Sequence, residues 1–259
     1  MQNTDTAARS QPVNLNKCHN CALRRSCLPS GLQDAAMLAL EGIIKHNRRL
    51  LRNEHLYHAG EPMQQIYAVR SGAFKTYLFG ADGSELITGF VMPGQLLGLD
   101  ALSDRYFPSH AVALETSVVC LIPLPQLELL AGTDAHLCMT LLRSLSRDLQ
   151  GEKEHLGSNR ETAGPRLLAF LLEMSARQSR RGLSPAYLNL PMTRAEIGNY
   201  LGLTAETISR LFTRYRQLGL LECTGREVHL LDLDALHQQL QYRPRRLQNW
   251  PADSASLAS

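Results

Sequence analysis

No stretch of the 259 residues carries the roughly 18–20 consecutive apolar side chains that a membrane-crossing helix needs. The polar N-terminus also lacks the apolar core of a secretory signal, so the cytoplasm is the expected compartment. No Gly-rich nucleotide loop and no Ser/His/Asp arrangement stands out, and the nine histidines are scattered. The chain therefore offers no obvious catalytic set, and no enzyme activity is expected. Internal repeats are absent, and low complexity is confined to the tail "PADSASLAS" after Trp250. Residues 1–159 lack a charge bias, with 14 basic against 15 acidic side chains. Residues 160–246 have no lysine, yet carry 13 arginines against 8 acids. Arginine's planar fork suits phosphate and guanine, so the surplus points to where a nucleic acid would bind.

What is present fits a core-forming globular protein, with 44% apolar and 20% charged residues. The length suits two domains. Cysteine is concentrated early: "KCHNCALRRSCLP" holds Cys18, Cys21 and Cys27 ahead of any core element. In a reducing compartment clustered thiols more often bind metal or do redox chemistry than form disulfides. Thiolates at such spacing serve a zinc ion or an iron–sulfur cluster, and the spacing alone does not choose.

The texture changes along the chain. Residues 1–16 are polar, without a period, and are expected to be poorly ordered. Gly31 to Leu51 reads as a short amphipathic helix. "QIYAVRSGAFKTYLF", "ELITGFVM" and "HAVALETSVVCLIP" then alternate or are β-branched, and "ADGSE" between two of them is a hairpin signal. These runs predict an antiparallel barrel or roll over residues 52–123. After Pro125 the period becomes helical, with Leu137, Leu141, Leu142, Leu145 and Leu149 in one stripe that needs a partner. Gly157 and Pro165 predict that this helix ends early or bends there, with a second helical region from about Arg166.

"MTRAEIGNYLGLTAETISRLFTRYRQLGLL" is the clearest motif. Thr193 and Glu196 form a capping box that starts a helix with Ile197, Tyr200 and Leu201 facing inward. Gly202 stops it, and Thr204 caps a second helix with Ile208, Leu211, Phe212 and Tyr215 on its apolar face. Glu206, Ser209 and Arg210 share a polar face at i, i+3 and i+4. Two short helices about a Gly turn, then "LLECTGREVHLLD" as a strand–turn–strand wing, describe a winged helix-turn-helix.

A roll, a long helix and a winged helix-turn-helix in this order resemble the CRP/FNR family of bacterial transcription regulators, over about residues 18–245. The oxygen-sensing FNR/ANR branch is the nearest likeness. Its marks are Cys18-x2-Cys21-x5-Cys27-x-Pro29, "QIYAVRSGAFKT", "ITGF", "PSHAVALETSVVC" and "EIGNYLGLTAETISRLFTR". The resemblance implies an α+β fold: a cyclic-nucleotide-binding-like β-roll, a long dimerisation helix and a C-terminal winged helix-turn-helix. It divides the chain into a ligand segment (1–30), the roll (31–130), the dimerisation helix (131–160), the DNA reader (161–245) and an unstructured tail (246–259). It further implies a [4Fe–4S] cluster on Cys18, Cys21, Cys27 and Cys120. Cys138 and Cys223 then remain as packing thiols. It implies a homodimer through Leu141, Leu145 and Leu149. Glu206, Thr207, Ser209, Arg210 and Arg214 would contact a palindromic promoter site of the TTGAT-N4-ATCAA type, with RNA polymerase as a further partner. Cyclic-nucleotide-binding members place an arginine before a serine and a glutamate after a glycine. Here those places hold Pro108-Ser109 and Gly98-Leu99, so no cyclic nucleotide is expected. Two departures stand out: "HLGSNRETAGPRLL" is more polar than the family's usual helix continuation, and the tail beyond Leu240 exceeds its usual end. The implied function is an oxygen-responsive regulator of anaerobic metabolism; a zinc or thiol-switch regulator and an iron–sulfur electron carrier are the competing readings.

Overall fold

The structure, a computed structural model, describes residues 18–44, 47–158 and 161–240. The ends read from sequence as unstructured, 1–16 and 246–259, lie outside the described residues. The chain divides into two compact units, residues 1–149 and 150–259.

The first unit opens with a run of turns from Cys18 and continues with α1 (Asp34–Ile43). Eight strands follow: β1 (Asn47–Leu50), β2 (His55–Tyr57), β3 (Gln65–Ser71), β4 (Phe74–Phe79), β5 (Glu85–Val91), β6 (Leu96–Leu97), β7 (His110–Ala113) and β8 (Ser117–Pro123). They make two four-stranded antiparallel sheets, β1-β8-β3-β6 and β2-β7-β4-β5. Ile66, Val69, Phe74, Val119 and Ile122 are almost wholly buried in the core of this roll. The "ADGSE" turn joins β4 to β5, closed by hydrogen bonds from Gly80 N–H to Ser84 O and from Gly83 N–H to Gly80 O.

One expectation is corrected here, and one is refined. The helix read over Gly31–Leu51 ends at Ile43, and Asn47–Leu50 is strand β1, paired with β8 from Asn47↔Cys120 to Leu50↔Ser117. The short polar run looked helical because pairing with a strand some seventy residues away leaves no local mark. The helix after Pro125 is two helices, α2 (Leu124–Thr133) and α3 (Ala135–Ser158). Asp134 divides them, and its Oδ1 accepts the Leu137 N–H at 2.7 Å as an N-cap.

Helix α3 spans the division between the units. It runs one residue past Gly157 to Ser158, and α4 begins at Ala163, within the stretch from Gly157 to Pro165 where an end or bend is expected; residues 159–160 lie outside the described residues. The second unit then holds α4 (Ala163–Arg180), β9 (Tyr187–Asn189), α5 (Arg194–Leu201), α6 (Ala205–Gln217), β10 (Leu221–Thr224), β11 (Glu227–Leu230) and α7 (Leu233–Gln239). Pro165 sits in the first turn of α4, where its missing N–H costs nothing, so the helix starts before the proline and not after it. Leu167, Leu168 and Leu171 of α4 are the centre of this unit's core. The wing is a three-stranded sheet, β10-β11-β9, whose third strand has no clear sequence signal.

Candidate functional site

The first site is built on thiols. Between Cys18 and Leu32 the backbone folds through consecutive turns, with N–H groups of Cys21, Arg24, Ser26, Cys27, Ser30 and Leu32 each donating to a carbonyl three or four residues back. Leu28 and Leu32 anchor this segment, since both are buried in the roll's hydrophobic core. Cys18, Cys27 and Cys120 pack against the same core. Gly94, at φ +90° after β5, lets the segment lie close: a Cβ there would come within 2.8 Å of Ser26 Oγ and 3.3 Å of Ser26 O.

Cys120 stands in β8, opposite Ala68 of β3. The fold brings it into the electrostatic range of Cys18, Cys21 and Cys27, 93 to 102 residues earlier in sequence. Burial pushes the Cys18 and Cys27 thiols up to about 12, and the neighbouring cysteines add to the shift. For Cys18 the carboxylate of Glu41 works in the same direction. Cys120 is also raised by burial, while the Arg70 guanidinium beside it opposes the shift and hydrogen-bonds to the thiol. All six cysteines are free thiols. Cys18, Cys21, Cys27 and Cys120 together offer four soft donors, and burial disfavours the thiolate forms of Cys18, Cys27 and Cys120 unless a metal holds them ionised. The chemistry of the donor set fits an iron–sulfur cluster, and it fits zinc. Arg70, Glu41 and the two anchoring leucines carry no sequence mark that singles them out.

The second site is the open face of α6. The capping box is present in full: Thr193 Oγ1 accepts the Glu196 N–H at 3.2 Å, and Glu196 Oε2 accepts the Thr193 N–H at 2.8 Å. Gly202 closes α5 in the left-handed conformation, and Thr204 Oγ1 accepts from Thr207 N–H to start α6. Gly198 has to be small, because a Cβ would lie 2.5 Å from Leu203 O in the turn. Arg194 lies over the Phe212 ring, 3.4 Å from its centroid, and clamps α5 to α6. Ile208, Leu211, Phe212 and Tyr215 are buried, as the periodicity requires. Glu206, Ser209, Arg210 and Arg214 are exposed together with Thr213 and Gln217. Arg210 and Glu206 pair at 2.6 Å while keeping 78% and 71% of their side-chain surface in solvent. Thr207 is only half-exposed, and its hydroxyl meets that of Thr204 at 2.9 Å.

The three leucines expected at a seam on α3 differ in their surroundings. Leu137 is fully buried, and Leu141 and Leu145 pack partly against the roll's own core. Of the apolar side chains of α3 within this unit, Met139, Leu142 and Leu149 are the exposed ones, the last two at 51% and 52%. Of the expected seam, only Leu149 stands clear of the roll.

The histidines are less scattered than they look in sequence. His55, His58 and His110 converge, with one ring nitrogen from each within 4.8 Å of the others. Burial first, then the neighbouring rings, holds His55 and His110 below the usual histidine range.

The roll's interior has its own occupant. Tyr57 and Phe107 stack with centroids 3.8 Å apart, and Tyr67 lies at 5.9 Å from Tyr57. Leu99 is buried, and Ser109 Oγ donates to the Asp100 carboxylate at 3.4 Å.

Comparison with known proteins adds to these observations. A Crp-like helix-turn-helix domain matches residues 165–239, and a cyclic nucleotide-binding domain matches residues 47–134. The transcriptional activator protein FnrA of Stutzerimonas stutzeri is 43% identical over 216 residues, covering 83% of this chain and 88% of that protein. The fumarate and nitrate reduction regulatory protein of Escherichia coli K12 is 39% identical over 222 residues, covering 85% and 89%. The chain belongs to the CRP/FNR family. The solved structure of FixK2 from Bradyrhizobium japonicum superposes with a TM-score of 0.68 at 31% identity, covering 74% of this chain and 96% of FixK2. As a CRP/FNR member with a winged helix-turn-helix, the protein is a DNA-binding transcription regulator and not an enzyme. Among the described residues no helix is long and apolar enough to cross a membrane.

Proposed function

We propose that this regulator senses oxygen through a [4Fe–4S] cluster held by Cys18, Cys21, Cys27 and Cys120, and that it binds palindromic TTGAT-N4-ATCAA-like promoter sites as a homodimer to activate or repress genes of anaerobic metabolism. The observation that carries the reading is that Cys18 and Cys27 of the N-terminal segment pack against the same core of the roll as Cys120. When bound, the cluster would supply an oxygen-labile link between the N-terminal segment and the roll. The chain's part is to hold four thiolates together and to transmit whether the segment is seated. Leu28 and Leu32 of that segment share one core with Leu127 of α2 and Leu137 of α3, so seating the segment bears on the base of the long helix.

Met139, Leu142 and Leu149 are the apolar side chains that α3 offers to a second copy, and Leu156 continues the seven-residue spacing of the last two. Two copies of α6 would then enter successive major grooves about 34 Å apart. Joining two readers raises the effective concentration of the second, so losing the dimer lowers DNA affinity steeply. Arg210 and Glu206 reach base edges, while Arg214 contacts the backbone. RNA polymerase is the further partner at the promoter. No cyclic nucleotide takes part: Pro108 and Leu99 replace its charged partners, three aromatic rings fill the roll, and Asp100 would repel a phosphate.

The test is the absorption spectrum of anaerobically purified protein together with a gel-shift on the palindrome. A brown chromophore that bleaches in air, with DNA binding lost in parallel, is the expected result. Colourless protein carrying zinc, or DNA binding indifferent to air, would overturn it. A chromophore without DNA binding would mean an electron carrier.

A further inference from the structure

The three histidines that converge on the β2-β7-β4-β5 sheet belong to neither site described above. His55 is on β2, His58 is in the loop that follows it, and His110 opens β7. The His55 and His58 rings stack with centroids 4.2 Å apart, and the His110 ring stands edge-on to both, at 6.3 and 5.6 Å. One nitrogen from each lies within 4.8 Å of the others, a spread that small side-chain rotations close to the separation of ligands on one ion.

The surroundings look prepared. His55 Nε2 is 3.0 Å from the Tyr77 hydroxyl, and His110 Nδ1 accepts the Ala59 N–H at 3.4 Å. The Tyr77 hydroxyl can accept the His55 Nε2–H, which leaves Nδ1 of that ring as the ligand atom and fixes its orientation. On His110 the accepting Nδ1 is the unprotonated nitrogen, so a metal would bind there in place of the long contact from Ala59. The backbone under the rings is fixed as well: Gly60 N–H donates to Phe107 O, and Phe107 N–H donates to Glu61 O. Tyr77 and Phe79 wall the cluster, since the His110 ring stacks on Tyr77 at 4.8 Å and meets Phe79 edge-on at 5.1 Å. Nearby carboxylates, Glu61 and Glu85, add negative potential, although Glu85 is also paired with Lys75.

We propose that His55, His58 and His110 bind one divalent transition-metal ion of the zinc class, on the sheet that does not carry Cys120. Imidazole donors suit zinc, cobalt, nickel and copper, and three of them leave a position for water. The ion would pin the loop after β2 to the first residue of β7, where the β2–β7 register is already irregular.

Cobalt(II) is the probe, because its visible bands report geometry and its charge-transfer bands report thiolate ligands. The full-length chain, freed of metal by chelator, is titrated with Co2+ under anaerobic conditions. The expected result is an ion whose d–d bands lack thiolate charge transfer, and which Zn2+ displaces. His58→Gln, at an exposed position, should remove that ion and leave any thiolate-bound cobalt in place. Tyr77→Phe keeps the ring but removes the hydroxyl beside His55, and should weaken binding about 10–100-fold. The proposal is overturned if every bound cobalt shows thiolate charge transfer, or if His58→Gln binds as wild type. Because the thiolate bands are read separately, failure here leaves the four-cysteine reading untouched, and the converse also holds.

Discussion

Arg210 is held at the base of its reach by Glu206, an exposed i,i+4 pair that a DNA base could replace at little cost. Its fork matches guanine O6 and N7, so Arg210→Ala should cost about 1–3 kcal/mol and relax selectivity at the half-site guanine. Arg214→Ala and Arg216→Ala should instead weaken all sequences alike and reduce the salt slope. The measurement is affinity for the TTGAT palindrome and for scrambled DNA at several salt concentrations. Undiminished selectivity in Arg210→Ala would displace α6 from the groove. Gly198 is the second decisive residue. A methyl group there meets a backbone carbonyl and not a movable side chain, so Gly198→Ala must prise open the turn between α5 and α6. The expected loss is about 1–3 kcal/mol in thermal unfolding of the second unit, with DNA binding reduced alongside.

At the scale of elements, α3 makes the sharpest distinction. Leu145 partly packs on the roll, so a charge there would damage its own subunit whether or not a dimer forms. Leu149 is half in solvent, and Leu149→Lys should be nearly neutral for an isolated subunit, within about 0.5 kcal/mol. In a helix seam the same charge would cost several kcal/mol. A folded monomer that fails to shift the palindrome is therefore expected, and sedimentation velocity reads it directly. An unchanged dimer would move the seam elsewhere. The cysteine segment makes a comparable case. Gly94→Ala places a side chain at positive φ, costing about 1–2 kcal/mol, and also pushes on Ser26. It should lower iron content after anaerobic reconstitution while the roll stays folded by circular dichroism.

Across the whole molecule the six cysteines should divide four against two. Serine is a harder, rarely ionised donor, so Cys18→Ser, Cys21→Ser, Cys27→Ser and Cys120→Ser should each abolish the chromophore and anaerobic DNA binding together. Cys138→Ser and Cys223→Ser should leave both, with at most a small packing loss. Iron and sulfide content beside affinity for one palindrome is the measurement. Cys120→Ser is the most informative member, because only the fold brings that thiol to the others. Full cluster occupancy in this variant would return the lead to a three-cysteine or zinc site.

The sequence by itself determined what depends on near neighbours. The capping box at Thr193 and Glu196, the left-handed stop at Gly202, the buried face of α6 and the β4–β5 hairpin are all local, and each is where its residues predict. The cysteine spacing, too, is a local fact, and with the reading helix it was enough to mark the family. Only the tertiary structure decided what depends on distant chain. It turned Asn47–Leu50 from helix to strand by offering the edge of β8. It took Leu141 and Leu145 onto the roll's core and left Leu142 beside Leu149 in solvent, because a helical period names a face without saying what covers it. It set Arg70 against Cys120, and it joined His55 and His58 to His110 from the far end of the roll. Backbone hydrogen bonds and caps act over three or four residues. Sheet pairing and core packing act over tens, and no period in the sequence records their partners.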